Sequence, residues 1–275
     1  FIDWADNFDK DAGPICAEQM LLCRAYECAA NCAGLMNDAE NESYYAERAK
    51  DVKEKINALY WDEEKNAFVD DYKSGNRNVT RHANIFALLY GLTSEERKEK
   101  IIEHVIKNDD VPAIVTPYFR FFELAAMCDI GDFKYVTDSL RSYWGGMVEL
   151  GTTTFWEKYE PNKTGAEHYE MYGRTYGKSL CHAWGGTSPI YVLGKYILGV
   201  RATDVNFETY EVRPCLDALG LGSFSGKVPT QRGDIEVSVC SDKVSVTSPI
   251  DGGKLIVCGK EYVIEKGETL TVKIG

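Results

Sequence analysis

The feature that most constrains this chain is a change of apolar period near residue 200. Before it, apolar residues recur at helical spacing. Tyr45, Ala49, Val52, Ile56 and Leu59 follow one another at steps of four, three, four and three, which is one stripe of an amphipathic helix. Pro14 suits a first helical position, and the apolar pattern behind it runs to about Leu35. Thr80 to Tyr90 reads as a shorter helix closed by Gly91, and Thr93 with Glu96 forms a capping box before Ile101, Ile102 and Val105. Pro117 to Cys128 is apolar nearly all round, as a helix buried on several sides must be. Asp132 to Tyr143 and Pro189 to Leu198 complete about seven helices. Short connections make neighbours antiparallel hairpins. After Arg201 the period becomes two. Val205–Val212, Asp234–Cys240, Lys243–Thr247, Lys254–Val257 and Thr269–Ile274 are short, β-branched and separated by turns such as Asp251–Gly252–Gly253. The chain is therefore expected to be mainly α, then all-β: a helical domain over 1–202 and a small antiparallel β-sandwich over 203–275.

Charge narrows the partners. A formal net charge of -12 without a basic stripe argues against nucleic acid, whose phosphates must be met by clustered Lys and Arg. No run approaches the roughly 20 apolar residues of a membrane span. Cys16, Cys23, Cys28 and Cys32 stand seven, five and four residues apart. None of the nine cysteines forms a C-x-x-C pair, so they are expected as small apolar core residues, with a disulfide as the alternative, and not as a metal site. Unpaired thiols favour a reducing, cytoplasmic setting over an oxidising one. The sequence begins at Phe1, so an upstream signal stays open.

The stretch from Trp144 to Thr187 is too long for a simple connector, and long ordered loops tend to carry function. It contains G-T-T-T-F-W-E (Gly151–Glu157) and S-L-C-H-A-W-G (Ser179–Gly185), ahead of Pro189. An indole offers a flat apolar face to a sugar ring, Glu is an acid or base, and His is either of these or a hydrogen-bond donor. These residue types suit a carbohydrate site. They equally suit core tryptophans beside a solvated Glu157.

The ordered pair T-T-x-W-E and H-A-W-G, about 25 residues apart, resembles the C-terminal half of the glycoside hydrolase family 78 α-L-rhamnosidases. Weaker matches are F-I-D-W (Phe1–Trp4), Tyr60–Asp70, R-H-A-N (Arg81–Asn84) and Lys227–Val237. The resemblance implies part of an (α/α)6 toroid followed by a β-sandwich. It implies inverting hydrolysis of terminal rhamnosides, with Glu157 as general base and His182 on the sugar. Trp184 and Trp156 become stacking candidates, Trp144 a pocket candidate, and Asp3 with Trp4 a candidate site mouth. Thr152, Thr153, Thr154 and Lys158 are the donors expected near Glu157. Glu149, Glu160, Glu167 and Glu170 are spare carboxylates, expected in solvent. A two-carboxylate mechanism needs no cofactor, and no EF-hand-like metal loop is present.

One departure stands out. The acidic D-E-R-x-G-W-x-G-D-like segment that carries the family's general acid does not occur here. The expectation is a piece of a larger enzyme, inactive or weakly active alone. It would bare apolar helix faces around Pro117–Met127 and associate with its own copy or with a missing N-terminal part. Two alternatives remain. One is another inverting (α/α)6 glycosidase acting on glucosides or uronides, distinguished by the sugar released. The other is a non-catalytic carbohydrate-binding remnant, distinguished by rhamnose binding without turnover.

Overall fold

The computed structural model describes residues 2–3, 13–217 and 219–274. The chain forms two compact units: residues 1–129 with 156–179, and residues 130–155 with 180–275.

The first unit is helical. Helices α1 (Cys16–Leu35) and α2 (Ala39–Leu59) form an antiparallel hairpin. Asp38 caps α2 by accepting the Asn41 N–H at 3.1 Å. A small ladder of β1 (Trp61–Asp62) and β2 (Ala67–Phe68) follows. Asp62 closes its turn by accepting the Glu64 and Lys65 N–H groups, each at 3.0 Å. Helices α3 (Arg81–Leu89), α4 (Glu95–Ile101, prolonged by wider turns to Ile106) and α5 (Pro117–Ile130) complete it. Ile56, Phe68, Ile85, Phe86, Ile101, Phe119 and Leu124 are fully buried. Phe86 contacts Phe119 and Phe122 with centroids 5.1 and 5.2 Å apart.

The second unit opens with a continuous rod, α6 (Phe133–Ser139) running through wider turns into α7 (Gly146–Glu149). Helix α8 (Ala183–Val192) extends likewise to Ile197. Two four-stranded sheets follow. One has the order β10 (Thr269–Lys273), β7 (Lys243–Thr247), β6 (Gly233–Cys240), β5 (Ser223–Thr230), all antiparallel. The other has the order β3 (Val200–Ala202), β4 (Tyr210–Val212), β8 (Gly253–Val257), β9 (Lys260–Ile264), in which the β4–β8 pair runs parallel. Alternate residues of both sheets, including Ile235, Val237, Val244, Val246, Leu255 and Val257, fill one shared core. The chain is thus seven helical rods among the described residues, then a β-sandwich.

Several local expectations are corrected. The cap of α4 is Ser94, whose hydroxyl accepts the Arg97 N–H at 3.3 Å, and not Thr93. Within Val205–Val212 only Tyr210–Val212 is strand. Asn206 and Phe207 have φ of 53° and 58°, which breaks the extended run. Cys16 and Cys23 are buried but Cys28 and Cys32 face solvent; all nine cysteines are thiols. The Pro117–Met127 stretch is not bare, since Phe119, Leu124 and Met127 are buried. Among the described residues no helix is long and apolar enough to cross a membrane.

Candidate active site

Within the first unit, Glu157 is tied to Ser179 by two hydrogen bonds. Its N–H donates to the Ser179 carbonyl at 3.0 Å, and its Oε2 accepts the Ser179 N–H at 3.0 Å. The Tyr172 hydroxyl donates to Oε1 at 2.5 Å. Both carboxylate oxygens therefore have a donor. The next residues are anchored too. The Tyr159 N–H reaches the Val115 carbonyl at 2.9 Å, just before α5.

Trp156 is buried in an aromatic cluster with Tyr159 and Tyr169, centroids 6.2 and 5.4 Å away. The Lys178 ammonium lies 4.2 Å from the Trp156 ring centroid and donates to the Lys158 carbonyl at 2.8 Å. Burial pulls the Lys178 ammonium down to about 8. The same desolvation, helped by the Glu157 hydrogen bond, raises the Tyr172 phenol to about 12.

Two of the four donors expected for Glu157, Lys158 and Thr154, are engaged elsewhere. Lys158 pairs with Glu160 at 3.0 Å, and Thr154 bonds the Leu180 carbonyl in the second unit. Glu167 is also not a spare charge: it accepts the Thr164 N–H at 3.2 Å and closes a capping box. A T-x-x-E spacing at Thr164 was the signal for it. Tyr172 and Ser179 carry no comparable sequence signal, because they reach Glu157 only through the folding of the loop.

In the second unit, His182 stands at the N-terminus of α8, with its N–H on the Phe155 carbonyl at 2.8 Å. Trp144 is buried and donates its indole N–H to the Gly185 carbonyl at 2.6 Å, pinning the first turn of α8. Trp184, on that same turn, is 61% exposed. Gly186 packs closely there, since a Cβ would lie 3.0 Å from the Phe155 ring.

Asp3 belongs to the first unit. Its side chain is 3% exposed and is held by the Thr116 hydroxyl at 2.8 and 2.9 Å and by His82 Nε2 at 3.1 Å. His82 Nδ1 in turn meets the Thr80 hydroxyl at 3.1 Å, and Thr80 donates to Asp70 at 2.7 Å. Arg81, beside it, joins Arg120 on the buried Glu123 at 3.5 and 3.4 Å. Trp4 lies outside the described residues.

Residues 1–197 match the family described as bacterial alpha-L-rhamnosidase 6 hairpin glycosidase domain. The chain belongs to this family. Solved structures agree with that membership. A rhamnosidase of glycoside hydrolase family 78 from Bacillus sp. GL1 is 25% identical, with a TM-score of 0.75 over 90% of this chain and 25% of that one. A Klebsiella oxytoca rhamnosidase with rhamnose bound is 27% identical, with a TM-score of 0.59 over 70% of this chain and 35% of that one. The α-L-rhamnosidase of Aspergillus terreus shares the fold, with a TM-score of 0.75 at 15% identity over 93% of this chain and 30% of that one. This rhamnosidase-family chain thus spans about a quarter to a third of these solved relatives. No curated protein matches it significantly.

Proposed function

We propose that the protein acts in the hydrolysis of terminal α-L-rhamnosides by inversion, with Glu157 as the general base. The observation that carries this reading is a carboxylate in the T-T-T-F-W-E motif, held through both oxygens by Tyr172 and Ser179, in a chain of the rhamnosidase family. Glu157 takes a proton from a water, whose oxygen attacks the anomeric carbon on the face away from the leaving group. A carboxylic acid on the other face protonates the departing oxygen, and it comes from outside the motifs this chain carries. His182 and the exposed face of Trp184 serve as sugar contacts. Trp144, Trp156, Asp3 and Trp4 are the further residues that this reading assigns to the substrate, as the family resemblance implies. Residues 1–202 form the toroidal part and 203–275 the β-sandwich. Self-association, or docking with further toroid helices, completes the assembly.

The test is Glu157→Gln in the full-length protein on an aryl α-L-rhamnoside. Turnover should fall by about 10²–10⁴, the loss expected for a general base, and the wild type should release β-rhamnose first by NMR. Turnover near the wild-type value removes the base assignment. Release of glucose or a uronic acid instead of rhamnose moves the protein to another six-hairpin specificity.

A further inference from the structure

Tyr172 occupies a strained turn. Met171 and Arg174 exchange both backbone hydrogen bonds, at 3.0 and 3.1 Å. Between them Tyr172 and Gly173 have φ of 57° and 68°, the two left-handed residues of a type I′ turn. Gly accepts that geometry without penalty, whereas a tyrosine at the first position is strained. The chain doubles back tightly here, since a Cβ on Gly177 would sit 2.1 Å from the Met171 carbonyl oxygen. The residue is 49% exposed, so core burial does not hold it in place. What the strained turn achieves is delivery of the phenol hydroxyl to Glu157 Oε1. Strain kept by the surrounding structure tends to gather where function needs a fixed geometry.

We propose that Tyr172 is the positioning residue of Glu157, fixing the plane of its carboxylate from Oε1 while the Ser179 N–H fixes it from Oε2. This rests on the reading of Glu157 as general base. A carboxylate has about four lone-pair sites, so two donors hold it and still leave lone pairs for the proton of the attacking water. Tyr172 keeps its own proton throughout, because partial desolvation and the Glu157 bond raise its phenol to about 12. It is thus a donor only, and the proton removed from water stays on Glu157.

The experiment compares Tyr172→Phe, Glu157→Gln and the double variant in the full-length protein on an aryl α-L-rhamnoside. Tyr172→Phe keeps the ring and removes one charge-assisted hydrogen bond, so kcat should fall about 10–100-fold with KM within about twofold. In the Glu157→Gln background, adding Tyr172→Phe should change kcat less than about twofold. Wild-type kcat in Tyr172→Phe, in an enzyme that Glu157→Gln disables, overturns the tyrosine's role and leaves Glu157 standing. An equal loss in both backgrounds marks a purely structural residue and also overturns it. A Glu157→Gln enzyme at full speed removes both readings together. NMR titration of tyrosine-labelled chain gives an independent measure. Tyr172 should titrate near about 12 and move toward the ordinary value of about 10 in Glu157→Gln. An unmoved titration speaks against the contact and overturns the proposal.

Discussion

Lys178 shows how the loop around Glu157 uses a charge that it also disfavours. Its ammonium is taken from water onto the Trp156 face and one carbonyl, and burial leaves it at about 8, below the lysine value of 10.5. The sign follows from proton counting. Between those two values the unfolded chain holds the proton and the folded chain does not, so stability rises with pH through that window. The gain is at most about 1.4 kcal/mol per pH unit. In Lys178→Met the difference in unfolding free energy from the wild type should therefore change across pH 8 to 10.5. Denaturant melts at several pH values measure it, and a constant difference would show that Lys178 keeps an ordinary affinity for its proton. Glu157 is the other half of the same economy of donors. Its partners come from 15 and 22 residues further along the loop, which is why neighbouring threonines and Lys158 looked better placed in the sequence than they are in space.

At the level of elements, the strands show where sequence pattern informs and where it stops. β6 and β7 are legible because Ile235, Val237, Val239, Val244 and Val246 alternate inward with polar residues between them. β5 is silent because it is an edge strand whose residues alternate between exposed and half-buried, and it is interrupted by Gly226 and Pro229. Pro belongs at such an edge, and Gly226 lets Leu198 approach to where a Cβ would lie 2.7 Å from its Cδ1. The helices of the first unit were read to within a few residues from stripes and caps. The parallel β4–β8 pair could not be read, because it joins strands 43 residues apart through contacts that no local period encodes. Its register puts Gly253 opposite Tyr210, and a Cβ there would fall 2.2 Å from the Tyr210 ring. The ring cannot swing aside freely, since its hydroxyl donates to Ser248 at 2.6 Å in the core. Gly253→Ala should thus destabilise the β region by about 1–3 kcal/mol, the usual cost of overpacking. Urea melts measure it, and a change within about 0.5 kcal/mol, as at an ordinary surface site, would show that β8 can shift without loss.

For the whole molecule, the question is what covers the apolar surface of α8. The helix A-W-G-G-T-S-P-I-Y-V carries no charge. Leu180 just before it, Ile190 at 75% exposure and Leu193 just after it all face solvent, besides the Trp184 assigned to the sugar. Single exposed apolar residues are ordinary, but a run of them along one uncharged helix is the kind of surface that finds a partner. The expected bare face around Pro117–Met127 is buried instead, so the tendency to associate moves from α5 to α8. In solution the chain should therefore associate with itself, since another copy is the one partner always present in a purified sample. Light scattering across a concentration series should give a mass above that of one chain. Ile190→Asp should return it toward the single-chain mass, because burying an unpaired carboxylate in an apolar contact is strongly unfavourable. Ile190 is 75% exposed and makes few contacts to lose on its own, so the circular dichroism of that variant should match the wild type. A single-chain mass for the wild type at every concentration would show that water alone covers α8. A variant as large as the wild type would place the contact on another face.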